Sequence, residues 1–290
     1  MLKNPGKGGL LLNAQLEYIT ARNNVNIAGS GSQPLIFAHG FGCDQHMWRF
    51  VAPTFEKDYR VVLFDFVGSG KSDKTAYDPE RYADLYGYAQ DVLEICEAHE
   101  WSNAILVGHS VGAMIGLLAA IRKPEYFDRL ILVGPSPCYI NDLPDYIGGF
   151  ELEELHQLFE IMDQNFMGWA NYLAPIIMGN AERPELSREL EESFCSTDPD
   201  IARRFAKATF LSDYRAELSQ VRVPALILQS DEDVIAPLEV GAFVHRQIPG
   251  SELQLMDARG HCPHVSHPEE TIRLISSYLS HVSSGMELPR

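Results

Sequence analysis

A chain of 290 residues that is 46% hydrophobic and 22% charged has enough material for one large domain, with or without an insertion. Its formal net charge of −17 argues against a nucleic-acid partner, which needs a basic surface, and opposes docking on an anionic membrane. Five dispersed cysteines without a CxxC pair indicate reduced thiols and a cytoplasmic protein. No apolar run reaches the ~20 residues that span a bilayer, so we expect no membrane partner.

Short apolar runs alternate with longer helical patterns along the chain. The first two runs, 16–22 and 25–28, flank two asparagines and resemble an opening hairpin. Six further runs resemble strands: 34–38, 60–64, 104–107, 129–133, 225–229 and 252–256. Helical patterns occupy 81–97, 111–122, 238–247 and 269–281. The strand runs lack clean alternation, as strands covered on both faces do, so this order predicts a mostly parallel, doubly wound α/β sheet.

The segment 135–214 breaks this alternation. It has no strand pattern, and its amphipathic helical patterns are interrupted by prolines and glycines. We predict a helical lid inserted after the sixth strand, with the two strands of the opening hairpin included in the count. The core is then divided into residues 14–134 and 215–282, and residues 1–13 and 283–290 are predicted to be flexible termini.

Ser110 stands in the run 108–112, Gly-His-Ser-Val-Gly, which matches Gly-x-Ser-x-Gly. The run follows the predicted strand 104–107 and opens the predicted helix 111–122, the setting that a nucleophile elbow requires. The tight turn forces a strained backbone on the serine, and the flanking glycines avoid clashes. Free N–H groups at the helix N-terminus favour developing negative charge. Ser110 is therefore the predicted nucleophile of an α/β-hydrolase fold.

A serine nucleophile needs a base and an orienting acid, which follow it in this fold in the order acid, then histidine. The acid is expected four residues before Pro237, and this offset selects Asp233. Asp231 is the competing candidate, although a place in a solvated turn suits it better. His261 comes after the strand 252–256 and a glycine, which is the expected position of the base.

Two main-chain N–H groups are needed to stabilise the oxyanion. Val111, the residue after the nucleophile, supplies the first. The second is expected from the loop 39–42 that follows the strand 34–38, and we assign it to Phe41. The Phe41 ring is also expected to wall the acyl pocket, whereas His39 is predicted to have a structural role in this loop.

A zinc site is one alternative for the run 261–267, which also contains Cys262, His264 and His267. Two prolines make this run a loop, and no carboxylate follows it at the spacing of a known zinc site. We therefore predict no metal, with His264 and His267 as loop-packing or helix-entry residues.

A nucleotide site is the other alternative, because residues 68–72 end like the phosphate-binding loop G-x-x-x-x-G-K-[ST]. The first glycine of that motif would stand at position 65, which is Asp65, and no helical pattern begins at Lys71. The cradle of N–H groups at a helix N-terminus is missing. We expect no cofactor.

Several stretches together resemble a narrow group of α/β-hydrolases. They run from about Asn26 to the last predicted helix, and they are 40–45 with Trp48, 65–70, 108–112, 133–139, 194–199 and 259–264. The set resembles the RsbQ-type stress-response regulators of bacteria, which are similar to the plant strigolactone and karrikin receptor hydrolases. The N-terminal arm and the tail after His281 depart from the pattern.

The resemblance implies a four-helix lid over a closed apolar pocket, for which we take Phe41, Phe150, Phe159, Trp169 and Phe194 as lining residues. Such a pocket favours a small hydrophobic ligand over a charged one. The resemblance further implies a partner, a PP2C-type phosphatase with a sensory domain, and a role in the general stress (sigma factor) response.

Three functions follow from these patterns. The first is a signalling hydrolase that turns over or binds a small apolar ester or lactone and acts on the phosphatase. The second is a metabolic carboxylesterase or lactonase without a protein partner. The third is a ligand-binding module that keeps the geometry of the nucleophile, base and acid without turnover.

Overall fold

The computed structural model describes residues 7–283, with the side chains of residues 13–280, and its central element is a seven-stranded sheet. The strands are β1 (Asn26–Ala28), β2 (Pro34–Ala38), β3 (Arg60–Leu63), β4 (Ala104–His109), β5 (Phe127–Val133), β6 (Ala225–Glu232) and β7 (Glu252–Arg259). Their order in the sheet is β1-β3-β2-β4-β5-β6-β7. The edge strand β1 runs antiparallel to β3, and the other neighbours are parallel. The predicted α/β-hydrolase fold is confirmed.

Helices cover both faces of this sheet. They are α1 (Lys7–Arg22), α2 (Leu85–Ala98), α3 (Val111–Arg122), α4 (Leu152–Gln164), α5 (Phe166–Met178), α6 (Pro184–Ser196), α7 (Pro199–Phe210), α8 (Leu238–Gln247), α9 (Pro263–Ser266) and α10 (Pro268–Ser283). Apolar residues of α2, α3 and α8 pack on one face, and residues of α10 pack on the other. Strands β2, β4 and β5 are buried almost throughout, which explains their lack of alternation.

The opening hairpin is a wrong prediction. Residues 16–22 belong to the helix α1, which begins at Lys7 inside the segment predicted as a flexible arm. Leucine, alanine, glutamine, glutamate and arginine favour a helix here, and Ile19 and Arg22 are buried at helical spacing. The second predicted strand is correct in part, since residues 26–28 form β1. The termini 1–6 and 284–290 lie outside the described residues.

The helices α4 to α7, which we call the lid helices, follow β5. This strand is the fifth of the chain rather than the sixth, because the first strand of the expected hairpin is a helix. Each lid helix buries one stripe: Leu155, Phe159 and Met162 on α4 are spaced by four and three residues. Within residues 7–283, no helix combines the length and apolar character needed to cross a bilayer.

Candidate active site

Ser110 lies between the end of β4 and the first residue of α3. Its backbone has φ 55° and ψ −124°, a strained conformation for a residue with a side chain, and its N–H donates to the carbonyl of Val133 over 2.8 Å. A Cβ at Gly108 would lie 2.5 Å from Cα of Ala113, and one at Gly112 would lie 2.4 Å from the carbonyl oxygen of His39. The elbow therefore requires both glycines, as its pattern predicts.

A chain of two short hydrogen bonds joins Ser110 to His261 and Asp233. The Oγ of Ser110 lies 2.7 Å from Nε2 of His261, and Oδ2 of Asp233 lies 2.7 Å from its Nδ1. All three side chains are buried, although they come from the ends of three different strands. Asp231 is exposed and takes no part in this chain. The structure thus brings together the three residues that the sequence patterns select.

Main-chain donors hold Asp233 in its ionised form. Its Oδ1 accepts hydrogen bonds from the N–H groups of Ile235 and Ala236, over 2.8 and 3.1 Å. Burial raises the pKa of Asp233, but His261 and these two N–H groups outweigh it, and the pKa lies below its ordinary value. An ionised carboxylate only accepts, so Nδ1 of His261 carries the proton and Nε2 accepts from the hydroxyl of Ser110.

The loop after β2 packs directly against this chain. A Cβ at Gly40 would lie 3.5 Å from Cβ of Ser110, so the main chain before Phe41 runs beside Ser110. Val111 is the first residue of α3, where N–H groups have no partner within the helix. The two amides assigned to the oxyanion therefore belong to segments on either side of Ser110.

His39 holds this loop from inside, in accordance with the structural role predicted for it. Its Nε2 accepts the N–H of Phe66 over 3.1 Å, so the proton is on Nδ1, which donates to the carbonyl of Gly40 over 2.8 Å. Burial lowers the pKa of His39, and the neutral ring matches this pattern of one donor and one acceptor.

His109 and His264 form a second layer of imidazoles behind His261, and the sequence patterns assigned no site role to either. The ring of His109 lies 5.0 Å from that of His261 and 4.3 Å from that of His264, centroid to centroid. His109 donates from Nε2 to the carbonyl of His261, and burial lowers its pKa to about 3. Neutral imidazoles therefore surround the back of His261.

A cavity of about 20 Å³ lies against Ser110, large enough for about one water molecule. Phe41 and Phe194 line it, as predicted. The other three predicted lining residues, Phe150, Phe159 and Trp169, surround a neighbouring apolar cavity instead. The single expected pocket is thus two small spaces, because aromatic rings pack between them: Phe41 lies 5.6 Å from Phe210, centroid to centroid.

Tyr139 is a further polar group of this region. Its hydroxyl is buried and finds no hydrogen-bond partner among the residues that the structure describes. Burial raises the pKa of the phenol, and the nearby hydroxyl of Ser110 opposes that effect. The phenol is therefore neutral. Its position in the run 133–139 does not by itself indicate that it lies near Ser110.

The residues considered above as zinc ligands or as a nucleotide-binding loop make contacts within the protein instead. The Nδ1 of His267 bonds to Oγ of Ser266 over 2.8 Å, and His264 packs on Trp48 at 4.4 Å between ring centroids. Among the described residues, no three histidine, cysteine, aspartate or glutamate side chains are grouped to hold a metal ion. In the run 68–72, the N–H of Lys71 donates to the Asp65 carboxylate over 2.9 Å.

Comparison with known proteins agrees with this architecture. The family model described as alpha/beta hydrolase fold matches residues 33–268. A karrikin insensitive 2 receptor of Petunia hybrida is 40% identical over 260 residues, which cover 89% of this chain and 96% of the relative. A strigolactone esterase of Pisum sativum is 40% identical over 259 residues, or 89% of this chain and 94% of the relative.

Among solved structures, a hydrolase from Oleispira antarctica superimposes with a TM-score of 0.90 at 46% identity, covering 91% of this chain and 97% of that protein. The match of the family model spans most of the chain, and the sheet order and the elbow at Ser110 agree with it. The chain belongs to the α/β-hydrolase family, and plant strigolactone and karrikin receptor hydrolases are among its relatives.

Proposed function

We propose that this protein is a serine hydrolase that acts on a small hydrophobic ester or lactone. The observation that carries the proposal is the pair of 2.7 Å contacts that link Ser110, His261 and Asp233. A serine hydroxyl is a weak nucleophile until a base accepts its proton, and the base needs a group that fixes its tautomer and orientation. The three side chains have this arrangement.

The chemistry proceeds in two halves. Oγ of Ser110 attacks the carbonyl carbon of the substrate while Nε2 of His261 takes its proton, and the amides of Val111 and Phe41 stabilise the oxyanion. The tetrahedral intermediate collapses, and the alcohol leaves with the proton from His261. Water then attacks the acyl enzyme, again with His261 as base, and releases the acid. Asp233 stays ionised throughout and stabilises the imidazolium of His261 each time it forms.

The names of the relatives support the substrate class and a signalling role. One is named an esterase of strigolactones and another a karrikin receptor, so ester cleavage and ligand reception both occur in similar chains. The apolar lining near Ser110 suits a neutral ligand of this kind.

Hydrolysis of p-nitrophenyl acetate by the purified protein tests the proposal. Ser110→Ala is expected to lower kcat on the order of 10⁶-fold. Ser102→Ala, an exposed serine before β4, is the matched control and is expected to keep wild-type activity. A fluorophosphonate probe should label the wild type on Ser110 and leave Ser110→Ala unlabelled. Retention of full activity by Ser110→Ala would refute the mechanism.

The partner forms the second part of the proposal: like the RsbQ-type regulators, the protein activates a PP2C-type phosphatase that carries a sensory domain. The resemblance of the motif set and the receptor names of the relatives support this part. An activation assay with such a phosphatase, run with the wild type and Ser110→Ala, tests it. Activation by both proteins would favour a ligand-binding module. No activation by either would favour a metabolic carboxylesterase or lactonase.

A further inference from the structure

An open groove runs between the lid helices α4 and α5 on the outside of the molecule. It has a volume of about 350 Å³, and its walls include Leu158 and Ile161 of α4, Tyr172 and Ile176 of α5, and Val234 beside the acid loop. We call this space the outer groove. Ile161, Tyr172, Ile176 and Val234 are all exposed, between 39% and 59%. Large apolar side chains grouped in a concave surface indicate a binding site.

The outer groove shares lining residues with two smaller spaces, one of which lies against Ser110. Phe150, Leu158 and Leu173 line both the groove and the apolar cavity enclosed by the lid helices. Phe210 lines both that enclosed cavity and the small cavity at Ser110. Ile235 lines all three spaces. Because they share lining residues, the three spaces lie next to one another and form one series from the solvent to Ser110.

The polarity of this series selects the ligand. The enclosed cavity is lined by apolar residues, whereas Glu154 and Gln157 are also among the lining residues of the outer groove. Glu154 is already engaged, because its carboxylate accepts the N–H of Glu151 in the cap of α4. The series thus suits a neutral, extended apolar chain of a ligand, which we call its arm. The far end of this arm lies in the groove, where it is exposed to solvent.

The size of the inner cavity points the same way. The space beside Ser110 and the enclosed cavity each have a volume of about 20 Å³, room for about one water molecule, whereas the outer groove has about 350 Å³. A ligand longer than its reacting carbonyl group must therefore displace side chains along the enclosed cavity and reach the groove. We propose that the enclosed cavity and the outer groove are a binding site for an unbranched aliphatic arm of the substrate. This inference rests on the proposed function and specifies its substrate class as esters with an aliphatic arm of medium length.

Ile235 connects arm binding to the chemistry. Ile235 lines all three spaces, and its N–H donates to Oδ1 of Asp233 over 2.8 Å. An arm that passes Ile235 therefore contacts the residue whose main chain holds the acid in place. Binding energy from the arm is expected to appear in kcat/KM, because contacts remote from the reacting atoms contribute to the transition state.

The test compares p-nitrophenyl esters of acetate, butyrate and octanoate, and ethyl with octyl acetate. The wild type is expected to show a kcat/KM for an octyl or octanoyl ester at least about tenfold above that for its short counterpart. Ile161→Gln combined with Ile176→Gln is expected to lower this ratio by about fivefold or more, since both side chains line the groove. Met167→Gln is the matched control: Met167 is 59% exposed on α5 but does not line the groove.

If kcat/KM does not change with chain length among either the p-nitrophenyl esters or the alkyl acetates, the inference is overturned while the proposed function stays intact. A groove variant that keeps the wild-type ratio would overturn it too, and would instead favour a protein segment as the occupant of the groove. If no ester is hydrolysed at all, the proposed function fails on its own. In that case calorimetric binding of p-nitrophenyl octanoate to Ser110→Ala, with and without the groove substitutions, still decides whether the arm site exists.

Discussion

The imidazole of His109 donates a hydrogen bond from Nε2 to the main-chain carbonyl of His261, over 2.7 Å. The two residues are 152 positions apart in the chain, so this bond ties the nucleophile elbow to the loop of the base. The Nδ1 of the same ring faces Gly40, where a Cβ would lie only 2.5 Å away. The buried side chain of His109, which belongs to the elbow itself, thus contacts both the loop 39–42 and the main chain of His261.

We expect His109 to act as a positioning residue. His109→Leu removes the donor and is expected to lower kcat by about 100-fold with little change in KM, because a small displacement of the base is costly. His109→Gln offers an amide N–H near the same place and should recover about tenfold of that loss. Ester kinetics and urea denaturation of each variant check this. Equal rates for both variants would show that the side chain only fills space.

The acid assignment is tested by a pair of neighbouring aspartates. Asp233→Asn keeps the shape of the side chain but no longer fixes the tautomer of His261, and is expected to lower kcat about 10⁴-fold. Asp231→Asn, two residues earlier in the chain and exposed, should keep activity within about twofold. The comparison uses p-nitrophenyl acetate and the same protein preparation. A large loss with Asp231→Asn alone would reverse the assignment.

The positions of Ser110, Asp233 and His261 could be predicted because each depends on a local pattern. Each pattern can be recognised within a few residues. They are a glycine-flanked serine between a strand and a helix, an aspartate before a proline, and a Gly-His pair after a strand. Parallel strands then bring their carboxyl ends to one edge of the sheet, so local patterns far apart in the chain meet there.

Features that depend on distant partners could not be predicted. The bond from His109 requires the carbonyl of His261, and nothing in the run 108–112 indicates it. The helix α1, whose residues 16–22 resemble a strand in the sequence, is another such feature, because the burial of Arg22 depends on acidic residues of α2. The division of the pocket near Ser110 depends on how aromatic rings from several lid helices pack, which composition alone does not specify.

The anchoring of α1 is itself testable. Arg22 is 5% exposed and pairs with Asp91, which is fully buried, and with Glu94. Arg22→Met leaves the Asp91 carboxylate with fewer partners in a buried site, and is expected to lower the free energy of unfolding by about 3 kcal/mol. Arg273→Met removes one arginine of an exposed pair on α10 and should cost less than about 1 kcal/mol. Urea denaturation of both variants measures the difference, and equal losses would contradict the role of the buried pair.

The imidazole of His264 is expected to make the fold sensitive to acid. The ring is fully buried, neither nitrogen has a partner among the described residues, and burial with the neighbouring His109, His261 and Arg49 holds its pKa well below 6.5. Below pH 6.5 the unfolded chain binds a proton at this position that the folded chain does not, so lowering the pH favours unfolding. Each such group contributes a slope of about 1.4 kcal/mol per pH unit until the pH reaches its pKa in the folded state.

His264→Phe removes this group and keeps an aromatic ring against Trp48. The variant is expected to lose less stability than the wild type between pH 6.5 and pH 5, with the slope reduced by about 1.4 kcal/mol per pH unit. At pH 7 its free energy of unfolding should be equal or higher, because two unpartnered buried nitrogens are gone. Urea denaturation at the three pH values measures both effects, and His156→Phe on the exposed side of α4 is the matched control. An unchanged slope in His264→Phe would mean that the acid sensitivity arises from other groups, such as His39 or His109, whose pKa values burial also lowers.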